Sequence, residues 1–129
     1  MEKMGETIWL DSDILIGVLI NERRATSLIQ LFNGSYCTTA INVFELWEGR
    51  TLRDQTGQYL GKMEIIHLNE AAAKKAADMH RELKSGGELL DIKDLLIGAM
   101  CIENGIALAT FNKKHFERLQ RFGLKMAGT

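Results

Sequence analysis

The chain has 129 residues, of which 46% are hydrophobic and 26% charged, and a formal net charge of −1. That length and balance suit one globular domain with a real core, and they exclude a disordered or fibrous chain. A charge so close to zero also excludes a global basic field, so any binding of RNA or DNA must use a local patch or a metal.

Met1 to Thr7 is polar and charged, and no apolar run reaches the length of a membrane span, so neither a signal peptide nor a membrane anchor is expected. Cys37 and Cys101 lie in apolar or β-prone contexts and read as buried free thiols in a reducing cytoplasm. Together with His67, His80 and His115 they show no paired zinc-ligand spacing.

Ile8-Trp9-Leu10 reads as a short strand that ends in Asp11-Ser12-Asp13, and residues 12–20 read as a buried helix. Asn21 to Arg24 is a polar break. Ala25 to Phe32 carries a helical stripe that Asn33-Gly34 stops. Tyr36-Cys37-Thr38 is β-prone. Thr38 or Thr39 then caps a helix from Ala40 to about Leu52, on which Asn42, Glu45 and Gly49 share a face. A helix or turn follows to Gly61, and Met63 to Leu68, with Ile65 and Ile66, reads as a strand. Asn69 caps a long helix, Glu70 to Lys84, whose inner side is Ala72, Ala76, Met79 and Leu83, and Ser85-Gly86-Gly87 ends it. The helix from about Asp91 to Asn104 is apolar all round between Leu95 and Ile102, which predicts burial. Gly105 ends it. A strand follows over Ile106–Thr110, then an amphipathic helix over Lys113–Gln120, and Phe122–Met126 is a candidate last strand. Strands and helices alternate, which predicts an α/β fold: a mainly parallel sheet between two helical layers.

Three acidic positions share a physical character. Asp11 ends a strand, Glu45 lies in the second turn of a helix that follows a strand, and Asp94 lies in the first turn of the apolar helix. With parallel strands all three fall at the sheet edge where such folds place ligands. Each also has a purely structural reading. Asp11, Ser12 or Asp13 could cap the first helix, Asp94 could be a first-turn acid behind an Asp91 cap, and Glu45 could be a solvated residue like Glu48. Taken with Asn112 at a further strand exit, the set favours a metal site. A hard divalent cation relieves the repulsion, and Mg²⁺ prefers a few carboxylates plus water and phosphate. Such a cation lowers the pKa of bound water and stabilises charge on a phosphodiester in transition.

Over nearly its whole length the chain resembles the PIN-domain ribonucleases, specifically the VapC-type toxins of prokaryotic toxin–antitoxin pairs. Leu10-Asp11-Ser12 resembles the opening motif, Thr39 through Gly49 with Glu45-Leu46 the second, Asp94-Leu-Leu-Ile-Gly-Ala the third, and Gly105 through Phe116 with Thr110, Asn112 and His115 the closing segment. The resemblance implies a PIN-like three-layer α/β/α fold and a single domain over residues 1–129. It implies metal-dependent hydrolysis of an RNA phosphodiester (in a tRNA, rRNA or mRNA), with Asp11 and Asp94 holding Mg²⁺ or Mn²⁺ and Glu45 binding it or orienting water. The family's fourth acidic position falls on Asn112, a departure that removes one negative charge. Thr110 matches the polar residue on the same strand exit, Asp91 is close enough to add a ligand, and Asp13 is expected to point away. A cognate VapB-like antitoxin and a homodimer are implied as well. Independently of the resemblance, Leu19, Ile20, Leu28 and Phe32 exceed what one buried face needs, which leaves apolar surface for a partner.

Lys113, Lys114, Arg118, Arg121 and Lys125 form a basic C-terminal region that is either an RNA-backbone contact or an ordinary solvated helix face. Two other functions fit parts of the sequence. Leu10 to Leu15, with its paired Asp11 and Asp13, resembles the opening motif of haloacid-dehalogenase phosphatases and phosphotransferases, in which the first Asp is a nucleophile. Chain length and Glu45 argue against that reading. The other alternative is a non-catalytic binding module whose acids serve only as caps.

Overall fold

The computed structural model describes residues 7–32, 35–49 and 53–127. Four strands, β1 (Ile8–Leu10), β2 (Tyr36–Thr39), β3 (Glu64–Ile66) and β4 (Ala107–Ala109), form one all-parallel sheet in the order β3-β2-β1-β4. Parallel neighbours need crossover connections, and the helices supply them. Seven helices are present among the described residues: α1 (Ser12–Leu19), α2 (Arg23–Leu31), α3 (Ala40–Glu48), α4 (Arg53–Leu60), α5 (Glu70–Ser85), α6 (Ile92–Asn104) and α7 (Lys113–Glu117).

The two-residue period of the strands divides the core in two. Trp9, Cys37, Ile66 and Leu108 face a cluster built from α5, α6 and the segment around Phe116 and Leu119. Ile8, Leu10, Ile65 and Ala109 face a second cluster built from α1 to α4. This is the expected three-layer PIN-like arrangement. β1 lies inside the sheet and is buried at all three positions, so its C-terminal end is a fixed point. Thr38 reinforces that point by donating its hydroxyl to the Leu10 carbonyl, 2.9 Å away.

Most element ends follow from capping chemistry. Asn69 accepts from Ala72 N at 2.9 Å, Thr39 caps α3 in a reciprocal capping box with Asn42, and Gly105 takes the left-handed conformation that closes α6. α6 is buried along Leu95, Ile97, Gly98, Ala99, Met100 and Cys101, as its all-round apolar sequence predicts.

Three expectations need correction. Phe122–Met126 is not a strand. Phe122 ends a short 3-10 turn, and only Met126 makes an isolated parallel bridge, to Leu108. The helix from Lys113 closes at Glu117, because the chain tightens into that turn. α3 ends at Glu48, with Gly49 already extended, short of Leu52, which lies outside the described residues. The Asn33-Gly34 stop and residues 1–6 also lie outside them. Of the four apolar residues read as surplus, Ile20 is exposed, whereas Leu28 and Phe32 pack against the second cluster.

Gly17 sets the approach of α1 to α2. A Cβ there would stand 2.5 Å from Ala25 Cβ, which is fixed to the α2 backbone and cannot swing aside. Gly17→Ala is therefore expected to destabilise the protein by about 1–3 kcal/mol through overpacking. An unchanged urea midpoint would show that α2 can shift at no cost.

Candidate active site

The C-terminal edge of the sheet gathers the polar residues. Asp11 ends β1 and is also the N-cap of α1, so the capping and functional readings apply to one side chain. Its Oδ1 accepts from Ser12 N at 2.9 Å and from Asn42 Nδ2 at 3.1 Å, and its Oδ2 accepts the Thr110 hydroxyl at 2.8 Å. Asp11 is only 9% exposed. Burial first, and the neighbouring Asp13 second, push its pKa up to about 6, with Asp94 adding to the rise.

Asn42, which is fully buried, organises this edge. Its Oδ1 accepts from Trp9 Nε1 at 2.9 Å, from Thr39 N at 3.2 Å and from the Thr39 hydroxyl at 2.8 Å. Its Nδ2 donates to Asp11 and, at 2.9 Å, to the Ser12 hydroxyl. Ser12 in turn donates to Glu45 Oε1 at 2.7 Å. A single amide thus ties the end of β1 to the start of α3. Sequence reasoning placed Asn42 on Glu45's face but gave it no role, and it read Ser12 as a possible cap and part of the opening motif without foreseeing its bond to Glu45. The i, i+3 spacing of Asn42 and Glu45 was the available signal.

Asp13 does not point away. Its Oδ2 accepts from Phe111 N at 3.0 Å and from the Thr110 hydroxyl at 3.3 Å, and its Oδ1 is buried without a hydrogen-bond partner. The reason is local. α1 begins at Ser12, so Asp13 lies in the first turn, at the sheet edge, facing the exit of β4.

Asp94 is half-buried in the first turn of α6. Burial raises its pKa, Asp91 and Glu45 raise it further, and His115 and Lys93 oppose them. Asp91 is the N-cap, its side chain accepting from Lys93 N at 2.8 Å, so this carboxylate already has a structural task. Lys93 Nζ stands 3.6 Å from Glu45 Oε2. Asn112 joins through its backbone, donating N–H to the Thr110 hydroxyl at 3.0 Å, while its side chain is exposed and does not cap α7. Lys113 and Lys114 are exposed. Arg118 turns away to the loop after α5, donating to the carbonyls of Glu88 at 3.4 Å and Leu89 at 3.2 Å.

These residues suit a hard cation in an open site. The donors are all oxygen, one buried carboxylate oxygen lacks a partner, and repulsion from Asp13 and Asp94 adds to the rise in the Asp11 pKa, which a bound cation would relieve. Among the described residues, no three His, Cys, Asp or Glu side chains are grouped closely enough to hold a metal ion by themselves. Mg²⁺ does not need such a group, because it keeps several waters and takes one or two carboxylates plus phosphate.

The raised acids make stability depend on pH. Folded Asp11 binds its proton more tightly than unfolded Asp11, so the stability it contributes is full below its ordinary 3.8 and is lost as pH rises through about 6. Asp13 and Asp94 shift in the same direction, with burial again the first cause. The metal-free protein is therefore expected to gain about 2 kcal/mol between pH 7.5 and pH 4.5 from Asp11 alone. Thermal melts across that window would read it, and a Tm that falls on acidification would contradict it.

Residues 8–121 match the family described as PIN domain. Ribonuclease VapC1 of Methanocaldococcus jannaschii is 32% identical over 98% of this chain and 90% of its own length. Ribonuclease VapC2 of Haemophilus influenzae is 27% identical over 85% of this chain and 89% of its own. Among solved structures, VapBC2 from Rickettsia felis bound to a promoter DNA fragment superposes with a TM-score of 0.78 at 22% identity, covering 93% of this chain and 96% of that one. DNA-bound VapBC from Salmonella typhimurium also gives 0.78, at 20% identity, covering 95% and 97%. At those identities the structural likenesses bear on fold alone. The phosphotransferase and non-catalytic readings are not favoured.

Proposed function

This chain belongs to the PIN domain family, and from that we propose that it is the ribonuclease toxin of a VapBC-type pair, a single domain that hydrolyses RNA phosphodiesters with Mg²⁺ or Mn²⁺. The observation that carries this reading is the convergence, at one sheet edge, of a buried and strained-for-charge Asp11 with Asp13, Asp94 and Glu45. The likeness to a named ribonuclease over nearly the full chain supports it.

A bound Mg²⁺ or Mn²⁺ would neutralise the phosphodiester in transition and lower the pKa of a bound water. Asp11 and Asp94 would hold it. Asp11 keeps a free lone pair for this, because its two oxygens offer about four acceptor sites and three are engaged. Asn42, Ser12 and Thr110 fix the orientation of the acids, which is what second-layer partners of a metal site do. Glu45, held on one oxygen by Ser12, would bind the ion or orient the attacking water with the other. Asn112, exposed at the β4 exit, would hold water or phosphate. An antitoxin segment would dock in the groove lined by Ile16, Leu19, Ile20 and Leu46, which opens beside Glu45. A homodimer is part of the same reading, and light scattering after size exclusion tests it: a dilution-stable monomer would count against it.

Mn²⁺ binding by calorimetry, on wild type and Asp94→Asn in parallel, tests the site. Binding in the wild type and its loss in the variant are expected. No binding to the wild type at millimolar Mn²⁺ would turn the acids into caps and revive the binding-module reading.

A further inference from the structure

Four carboxylates surround the proposed reaction centre, and an RNA strand must approach them with its own negative charge. Two cations stand at the rim, and each rests on an aromatic ring. The Arg24 guanidinium lies 3.7 Å from the centre of the Phe111 ring. Lys93 Nζ lies 5.9 Å from the centre of the Phe44 ring. Phe111 directly follows the β4 exit and its N–H is held by Asp13, while Phe44 precedes Glu45 on the helix that follows β2. In the sheet order β1 lies between β2 and β4, so the two rings are carried by the segments that follow the strands on either side of the one ending in Asp11. Both cations are accessible, Arg24 with 69% of its side chain exposed and Lys93 with 46%. Phe44 is itself 55% exposed.

We propose that Arg24–Phe111 and Lys93–Phe44 are the two contacts that grip a single RNA strand on either side of the scissile phosphate. This rests on the ribonuclease reading and extends it to substrate recognition. Nucleobases stack on aromatic rings and on guanidinium planes, and cations contact the backbone, so a cation on a ring offers both at one point. The basic residues of the C-terminal region are less well placed for this. Arg118 is tied to two backbone carbonyls, and Arg121, although 5.1 Å from the Phe122 ring centre, is paired with Glu88 at 3.1 Å, more closely than Arg24 is with Glu22 at 3.8 Å or Lys93 with Glu45 at 3.6 Å. The chain's charge of −1 gives no global attraction, so local cations must supply it. Each also screens an acid of the site: Arg24 acts on Asp13 and Lys93 on Asp94.

The test measures binding of a fluorescein-labelled mixed-sequence 12-nucleotide RNA by anisotropy, across a salt series, in an Asp94→Asn background that does not cut. Arg24→Ala and Lys93→Ala are each expected to weaken binding about fivefold to tenfold and to reduce the salt slope by about one charge. Arg24→Lys is expected to keep the salt slope but lose affinity, because it keeps the charge and loses the plane. Lys74→Ala, on the far helix α5, is the control and is expected to bind as its parent does. All these substitutions are at exposed side chains, so folding is expected to be retained. Mn²⁺ affinity, measured for Arg24→Ala in the otherwise wild-type chain, is expected to stay within about twofold. RNA affinity and salt slope unchanged in both alanine variants would overturn the proposal while leaving the ribonuclease reading intact, as would loss confined to binding of an antitoxin peptide. No RNA binding or cleavage by the wild type would overturn both.

Discussion

Asp94→Asn is expected to remove Mn²⁺-dependent RNA cleavage, lowering kcat/KM by at least about a hundredfold, with the fold intact. The metal's stabilisation of the transition state is worth several kcal/mol, and a lost charged ligand forfeits most of it. Asp94 is the better of the two acids for this test. It is half-buried in the first turn of α6, so Asn fits its place. The helix loses a favourable first-turn charge worth about 0.3–1 kcal/mol, but it is also relieved of repulsion from Asp91 and Glu45. Tm should therefore move by only a few degrees. Asp11→Asn should also abolish cleavage, but it forces an amide NH₂ against one of three donors, Ser12 N, Asn42 Nδ2 or the Thr110 hydroxyl, so lost folding could mimic lost chemistry. Undiminished cleavage by purified Asp94→Asn would return this residue to a helix-terminal role and sink the assignment.

Asn42→Leu is expected to have the largest effect on stability, about 3–5 kcal/mol, or roughly 10–20 °C in Tm for a chain of this size. Leucine matches the volume but offers no acceptor. Trp9 Nε1–H and the Thr39 hydroxyl would be left without the partner they have now, inside the core, and each such orphan costs about 1–3 kcal/mol. Ser12 and Asp11 would lose a donor at the same time, so the acids would repel with less to hold them. Urea denaturation followed by tryptophan fluorescence would measure the loss. A change below about 1 kcal/mol would mean that the buried donors find other partners and that Asn42 does not organise the edge.

The main lines of the fold were legible because they rest on short-range chemistry. Ile8-Trp9-Leu10 announces a buried strand, Thr39 and Asn69 announce helix starts, and Gly105 announces an end. Asp11, Glu45 and Asp94 were legible as residues that local context sends to one edge, given parallel strands. What was not legible depends on partners far along the chain. Asp13 turns towards the backbone of Phe111, 98 residues away, and nothing near residue 13 reveals that. Asn42 is an ordinary polar residue on its helix until the Trp9 indole, 33 residues earlier, is seen to need an acceptor. The last strand failed for a related reason. Leu124 and Met126 are apolar because they cover the first core cluster, not because they extend the sheet.

Thr110 reaches Asp11 across 99 residues of sequence. At the roughly 5–20 residues per second of protein synthesis, about 5–20 s pass between the two. During that interval β1 has an open edge where β4 will pair, which makes the unfinished chain prone to sticking to others. The acids Asp11 and Glu45 are made early, and the hydroxyl that orients Asp11 is made late. A site assembled in that order stays incomplete until the chain is nearly finished, so its acids are exposed for seconds before the hydroxyl that orients Asp11 arrives.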